Sequence, residues 1–130
     1  MVLVDTSVWV DYFNGVETPQ ADRLDQLLGS GRLFTGDLIL AELLQGFARD
    51  GDYRRARGLL LDLPCADLVG RDVALAAADH YRRLRRRGIT VRKTIDMLIG
   101  TYCIQNGHDL LHSDRDFDAL QQHLGLRVLQ

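Results

Sequence analysis

The sequence predicts an α/β fold, with a parallel sheet covered by helices on both faces. Two observations predict it. Short apolar runs of strand length recur along the chain, at Val2–Val4, Leu33–Thr35, Ala66–Leu68, Asp109–His112 and Leu126–Leu129. Stretches with apolar residues at helical spacing lie between them. No apolar run approaches the ~20 residues that cross a bilayer, so no membrane association is expected. With 130 residues, 46% of them hydrophobic, the chain is long enough for one domain spanning 1–130 with its own core.

The elements follow in order. Val2-Leu3-Val4 has no polar position, as expected of a strand buried on both faces. Asn14–Pro19 reads as a loop, and the most flexible one. Leu24, Leu27 and Leu28 mark a first helix, ended by Gly29 and Gly31. A second runs from Leu38 to Phe47. A third runs from Tyr53 to Leu63, where Pro64 stops it. The fourth and longest, Val73 to Arg87, sets Val73, Ala76, Ala77, His80, Tyr81 and Leu84 on one face and ends at Gly88. Ile95 to Gln105 is the fifth, closed by Gly107, and Phe117 to Leu124 the last. No repeat, linker or low-complexity stretch interrupts them.

Charge is distributed unevenly about a net of −2. Within residues 79–93, Arg82, Arg83, Arg85, Arg86, Arg87, Arg92 and Lys93 stand against Asp79 alone. One reading is a solvated helix end, where cations are favoured. The other is a phosphate-binding patch, which suits a chain with 15 arginines and one lysine. Cys65 and Cys103 lack metal-site spacing, and Cys103 sits in an apolar helical pattern as a core residue. His80, His108, His112 and His123 are scattered, so zinc is not expected. Asp5 stands where an export signal would carry a basic region, so a cytoplasmic location is expected.

The unusual residues are acids in apolar company. Asp5 follows Val2-Leu3-Val4. Glu42 lies inside LILAELL, with no face of that helix plainly wet. Asp96 lies in TIDMLIG, and Asp114 and Asp116 follow Leu110-Leu111 in HSDRDF. Capping accounts for some of them singly. Asp5 can cap the next helix, Asp96 lies two residues after a candidate cap at Thr94, and Asp116 three after Ser113. Capping does not cover Glu42, in mid-helix. Jointly, the acids follow strands or lie in the early turns of helices, which meet at one edge of a parallel sheet. Charges so close repel strongly. A divalent cation resolves the conflict, and an all-oxygen ligand set favours Mg²⁺ or Mn²⁺.

Four motifs in this order, DTSVW at the start, AELLQG around Glu42, VRKTID leading to Asp96 and HSDRDF near the end, resemble a PIN domain. More narrowly they resemble the VapC-type toxins of bacterial toxin–antitoxin pairs. The resemblance spans nearly the whole chain. It implies a three-layer α/β/α fold with strand order 3-2-1-4-5 and a Mg²⁺-dependent endoribonuclease, Mn²⁺ substituting, that leaves 5′-phosphate and 3′-hydroxyl ends on RNA. Asp5, Glu42, Asp96 and Asp114 correspond to the family's acidic quartet, all four with metal-binding roles, and Asp116 to a further acid. Thr6 or Ser7 matches a hydroxyl beside the first acid, and Arg92 a basic residue four positions before the third. Asp118 falls outside the motif and is expected at the surface. The resemblance further implies a homodimer, with the apolar helices at 21–63 as candidates for its interface, and a cognate VapB-type antitoxin that inserts a segment into the active site. Arg92 and the 82–87 cluster are candidates for guiding the RNA backbone.

Three other readings compete. A phospho-acceptor receiver domain needs an Asp ending the third strand and a Lys near the fifth, whereas here Asp67 lies within the third run and Lys93 precedes a helix. A non-catalytic RNA- or protein-binding module on the same fold would be marked by lost acids, and none is lost. A flap-type DNA nuclease needs helical arches for which 130 residues leave little room.

Overall fold

The computed structural model describes residues 1–129. Strand β1 (Val2–Val4) pairs in parallel with β2 (Leu33–Gly36) on one side and β4 (Asp109–Leu111) on the other. Strand β3 (Cys65–Ala66) adds beyond β2, giving the order β3-β2-β1-β4. All of β1 is buried, which is why its sequence shows no alternation.

The expected fifth strand, Leu126–Leu129, does not form as a strand among the described residues. It joins β4 through one parallel bridge, Leu110 with Val128, closed by the Leu110 N–H on the Arg127 carbonyl and the Leu129 N–H on the Leu110 carbonyl, both 2.9 Å. Its position matches the order 3-2-1-4-5. Only Leu126 of this run is fully buried, so little apolar area holds it to the edge. The third strand also moves, from the expected Ala66–Leu68 to Cys65–Ala66. Leu68 leaves the ladder because Asp37 Oδ1 accepts its N–H at 2.9 Å and its side chain fills the space over Gly36.

Helix α1 (Thr6–Phe13) has no counterpart in the expected set. Its contiguous Val8-Trp9-Val10 masks the helical period, and its cap is Asp5. Helix α2 (Pro19–Leu27) begins before Leu24, with Thr18 accepting from the Ala21 N–H at 2.9 Å and Pro19 at the first position. Helix α3 (Asp37–Leu44) stops short of Phe47, and α4 (Asp50–Leu61) starts before Tyr53 and stops short of Leu63. Past both ends the chain tightens into bonds three residues apart, such as Gly46 N–H to the Leu43 carbonyl and Leu63 N–H to the Leu60 carbonyl. Helix α5 (Arg71–Arg86) and α6 (Thr94–Asn106) lie within two residues of expectation. A 3₁₀ turn (Arg115–Phe117) occupies the start of the expected last helix, leaving α7 as Asp118–Leu124. No helix is long and apolar enough to cross a membrane among the described residues.

This topology puts the site at a fixed place. The chain leaves β1 for β2 on one side, and β4 fills the other, so the order reverses between β1 and β4. A crevice outside the strand C-termini belongs there. The Asp5 N–H donates to the Leu111 carbonyl at 2.9 Å, tying the two strand ends together. Helix α3 starts directly off β2, and α6 returns to β4 through Gly107 in the left-handed region (φ 69°), so both N-termini face this edge.

Two glycines test the packing. A Cβ on Gly36 would lie 2.3–2.8 Å from three atoms of the buried Leu68 side chain, whereas Gly58, exposed in α4, has open space around it. Gly36→Ala should destabilise the protein by about 1–3 kcal/mol, and Gly58→Ala should stabilise it by roughly 0.5–1 kcal/mol. Urea denaturation of the two variants checks this, and equal effects would contradict it.

Candidate active site

Asp5 sits one residue beyond β1 and is 3% exposed. Its Oδ2 accepts from the Ser7 N–H at 3.0 Å and the Ser7 hydroxyl at 2.6 Å. Ser7 Oγ in turn accepts the Ser113 N–H at 3.0 Å, linking the β1 edge to the loop after β4. The cap and the site are thus one side chain. Burial pushes the Asp5 carboxyl above the usual carboxylate range, against the pull of the two Ser7 bonds, and the Asp114 charge adds to the push.

Asp96 lies in the first turn of α6 and is also 3% exposed. Thr94 is not the cap expected of it: the cap residue is Lys93, and no side chain accepts there. Asp96 is therefore free of any capping duty. Burial, then the charge of Asp5, pushes its carboxyl up to about 7, while Lys93 pulls it down and Asp114 and Glu42 add further repulsion. These influences trace four of the expected acids to one neighbourhood. Asp96 Oδ2 is buried without a hydrogen-bond partner, and so is Asp116 Oδ2.

Asp114, rather than the expected Ser113, caps the 3₁₀ turn, its Oδ1 accepting the Asp116 N–H at 2.9 Å. Burial raises its pKa, but the Asp116 amide and the Lys93 ammonium outweigh that and hold the carboxyl below the usual range. Glu42 is half-buried, and its helix does have a wet side at Asp37, Ala41 and Gln45, contrary to expectation. Its Oε1 accepts the Thr6 hydroxyl at 2.9 Å. The two hydroxyls beside Asp5 thus divide their work, Ser7 holding Asp5 and Thr6 holding Glu42. Arg92 reaches Asp116 Oδ1 at 3.5 Å from an exposed position. Asp118 is exposed, as expected.

Lys93 had no site role in the sequence reading, and His112, expected as a core or rim histidine that could lie beside the crevice, is bonded to the Asp114 backbone. Lys93 Nζ is 3.1 Å from Asp114 Oδ2 and 3.9 Å from Asp96 Oδ2. Its signal was available, since it is the sole lysine, three residues before Asp96. His112 Nδ1 accepts the Asp114 N–H at 3.2 Å, which leaves the proton of the neutral ring on the buried Nε2. Burial lowers its pKa and keeps the ring neutral at pH 7.

Oxygen atoms of Asp96, Asp114 and Asp116 lie within 4.8 Å of one another. With two of those side chains carrying an unpartnered buried oxygen, the donor set fits a hard divalent cation. Asp5 and Glu42 stand outside this triad, held by Ser7 and Thr6, and reach it through their charge. Acids clustered at the switch point of a parallel sheet can hold a divalent cation where a ligand's phosphoryl or carbonyl oxygen would arrive.

Residues 2–122 match the PIN domain family. The chain is 33% identical over 130 residues to ribonuclease VapC11 of Mycobacterium tuberculosis and to VapC ribonuclease Mb1587 of Mycobacterium bovis, with 98% of this chain and 97% of each relative covered. Among solved structures it resembles DNA-bound VapBC from Salmonella typhimurium, with a TM-score of 0.74 at 16% identity over 98% of this chain and 96% of that one. It also resembles VapC20 of Mycobacterium tuberculosis, a sarcin–ricin loop cleaving toxin, with a TM-score of 0.65 at 18% identity over 92% and 94%. The chain belongs to the PIN domain family. Within it, the chain stands with the VapC ribonucleases that it matches over 98% of its length.

The raised pKa of Asp96 has a consequence for stability. Folded, Asp96 holds its proton more tightly than unfolded. The resulting stability is complete below the ordinary carboxylate pKa and is lost as pH rises through about 7. In metal-free protein, Asp96→Asn should therefore raise stability at pH 8 by on the order of 1–3 kcal/mol, with the gain fading toward pH 4. Urea denaturation in chelator across this range checks it; a gain independent of pH would contradict it.

Proposed function

We propose that residues 1–130 act as a single PIN domain that hydrolyses RNA phosphodiester bonds with Mg²⁺, Mn²⁺ substituting, to give 5′-phosphate and 3′-hydroxyl ends. The observation that carries this reading is the pair of buried, unpartnered oxygens on Asp96 and Asp116, within a triad of carboxylates at the sheet's switch point. Asp96, Asp114 and Asp116 would hold the ion, with Asp5 and Glu42 completing the acidic set around it. The chemistry supplied by a divalent ion held there would be neutralisation of phosphate charge and a lowered pKa for its bound water.

The chain's own residues prepare that chemistry. Ser7 fixes the Asp5 carboxylate through two hydrogen bonds, and Thr6 fixes Glu42 through one. Both acids are thereby held in one orientation on the rigid end of β1 and on α3. Neutral His112 packs against Phe117 and braces the loop that carries Asp114. Arg92, 79% exposed at its side chain, is free to meet a phosphate while it flanks Asp116. On α5, Arg82, Arg83, Arg85 and Arg86 are exposed and make no salt bridge among the described residues, consistent with a guide for the RNA backbone.

The same reading includes a VapB-type antitoxin as partner. An apolar hollow of about 120 Å³ lined by Val10, Phe13, Leu43 and Phe47 reaches Glu42, which suits an inserted segment. It also includes a homodimer, for which exposed Leu61 and Tyr53 on α4 offer apolar surface. Cytoplasmic residence agrees with two free cysteines, one exposed.

Asp5→Asn and Asp96→Asn should each lower RNA cleavage in Mg²⁺ by roughly two orders of magnitude or more while the circular dichroism spectrum stays that of the parent. Mapping of 5′-phosphate ends after brief induction in cells, with the Asp5 variant as control, reads activity and substrate together. Parental cleavage rates in folded Asp5→Asn protein would overturn the reading.

A further inference from the structure

The only lysine in the sequence lies inside the acidic crevice, in a chain that uses arginine at 15 other positions. Its ammonium contacts two members of the carboxylate triad, Asp114 Oδ2 at 3.1 Å and Asp96 Oδ2 at 3.9 Å. The latter oxygen has no hydrogen-bond partner. An ammonium between these two oxygens stands where a cation shared by Asp96 and Asp114 would stand. Lysine fits that duty better than arginine. It is a compact charge on a flexible stem, whereas a guanidinium fork grips a carboxylate with two parallel bonds. Lys93 also has a way out, because its side chain is 53% exposed while that of Asp96 is 4% exposed. It sits at the cap of α6, where no side-chain bond fixes the turn.

We propose that Lys93 is a tethered counter-ion that occupies the cation position in the metal-free protein and must swing out for a divalent ion to enter. This rests on the reading of the triad as a metal site. Lys93 is a positioning residue here, acting on the ion rather than on substrate. It makes metal affinity a competition. A position held by the ammonium about nine-tenths of the time weakens apparent binding about tenfold.

The test measures Mn²⁺ binding by calorimetry on the intact chain, without RNA. Lys93→Gln should bind Mn²⁺ about tenfold more tightly than the parent. Arg92→Gln removes the same charge one residue away, from the 3.5 Å contact with Asp116, and should change affinity clearly less. Metal-free Lys93→Gln should melt below the parent, and saturating Mn²⁺ should close that gap. Unchanged or weaker Mn²⁺ binding by folded Lys93→Gln would overturn the proposal, as would equal effects of the two variants. Absence of Mn²⁺ binding by the parent, or parental binding in Asp96→Asn, would instead sink the metal-site reading itself.

Discussion

Negative charge held out of water at one edge of the sheet is the constraint on which the rest of this structure depends. Asp5 and Asp96 are both almost fully buried, Asp114 and Asp116 crowd against Asp96, and the charge of Glu42, held by Thr6, reaches the same group. Carboxylates at such spacing in low dielectric do not all ionise together without a cation. The protein answers the conflict in three ways. It leaves Asp96 half-protonated near neutrality, it gives Asp5 two donors from Ser7, and it sets Lys93 against Asp96 and Asp114. A divalent ion would replace all three arrangements with one stronger interaction.

The fold serves this edge. The reversal of strand order between β1 and β4 brings Asp5 and Asp114 together, although 109 positions separate them in the sequence. The second turn of α3 then delivers Glu42, and the first turn of α6 delivers Asp96. Helix α6 is buried over Met97, Ile99, Gly100, Thr101 and Cys103, so it holds Asp96 on the core rather than on a loop. Gly100 allows this closeness, since a Cβ there would lie 2.2 Å from Leu120 of α7. Rigid support of this kind is what keeps several charged side chains in register.

Much of this was legible in the sequence, and the misses have physical causes. The acids stood out because carboxylates rarely sit among apolar residues without a partner. Among the described residues, the four paired strands and six of the seven helices were legible from apolar runs and from glycine or proline stops. Helix α1 was not, because Val8, Trp9 and Val10 are contiguous and their burial differs only in three dimensions. The fifth strand was overread, because Leu126–Leu129 is apolar enough for a strand yet mostly unburied at the edge. The caps at Thr94 and Ser113 were misplaced by one residue each, since capping depends on backbone angles that sequence does not carry. Lys93 was absorbed into the surrounding run of arginines, where its chemistry differs from that of its neighbours.

The central claim is that carboxylates from distant parts of the chain share one divalent ion at the switch point. A crystal of the protein soaked in Mn²⁺, with anomalous scattering collected to locate the metal, tests it most directly. The account predicts one strong peak at coordination distance from both Asp96 and Asp114, with Lys93 turned away from it. A crevice without a peak at saturating Mn²⁺, or a peak bound elsewhere on the surface, would contradict it.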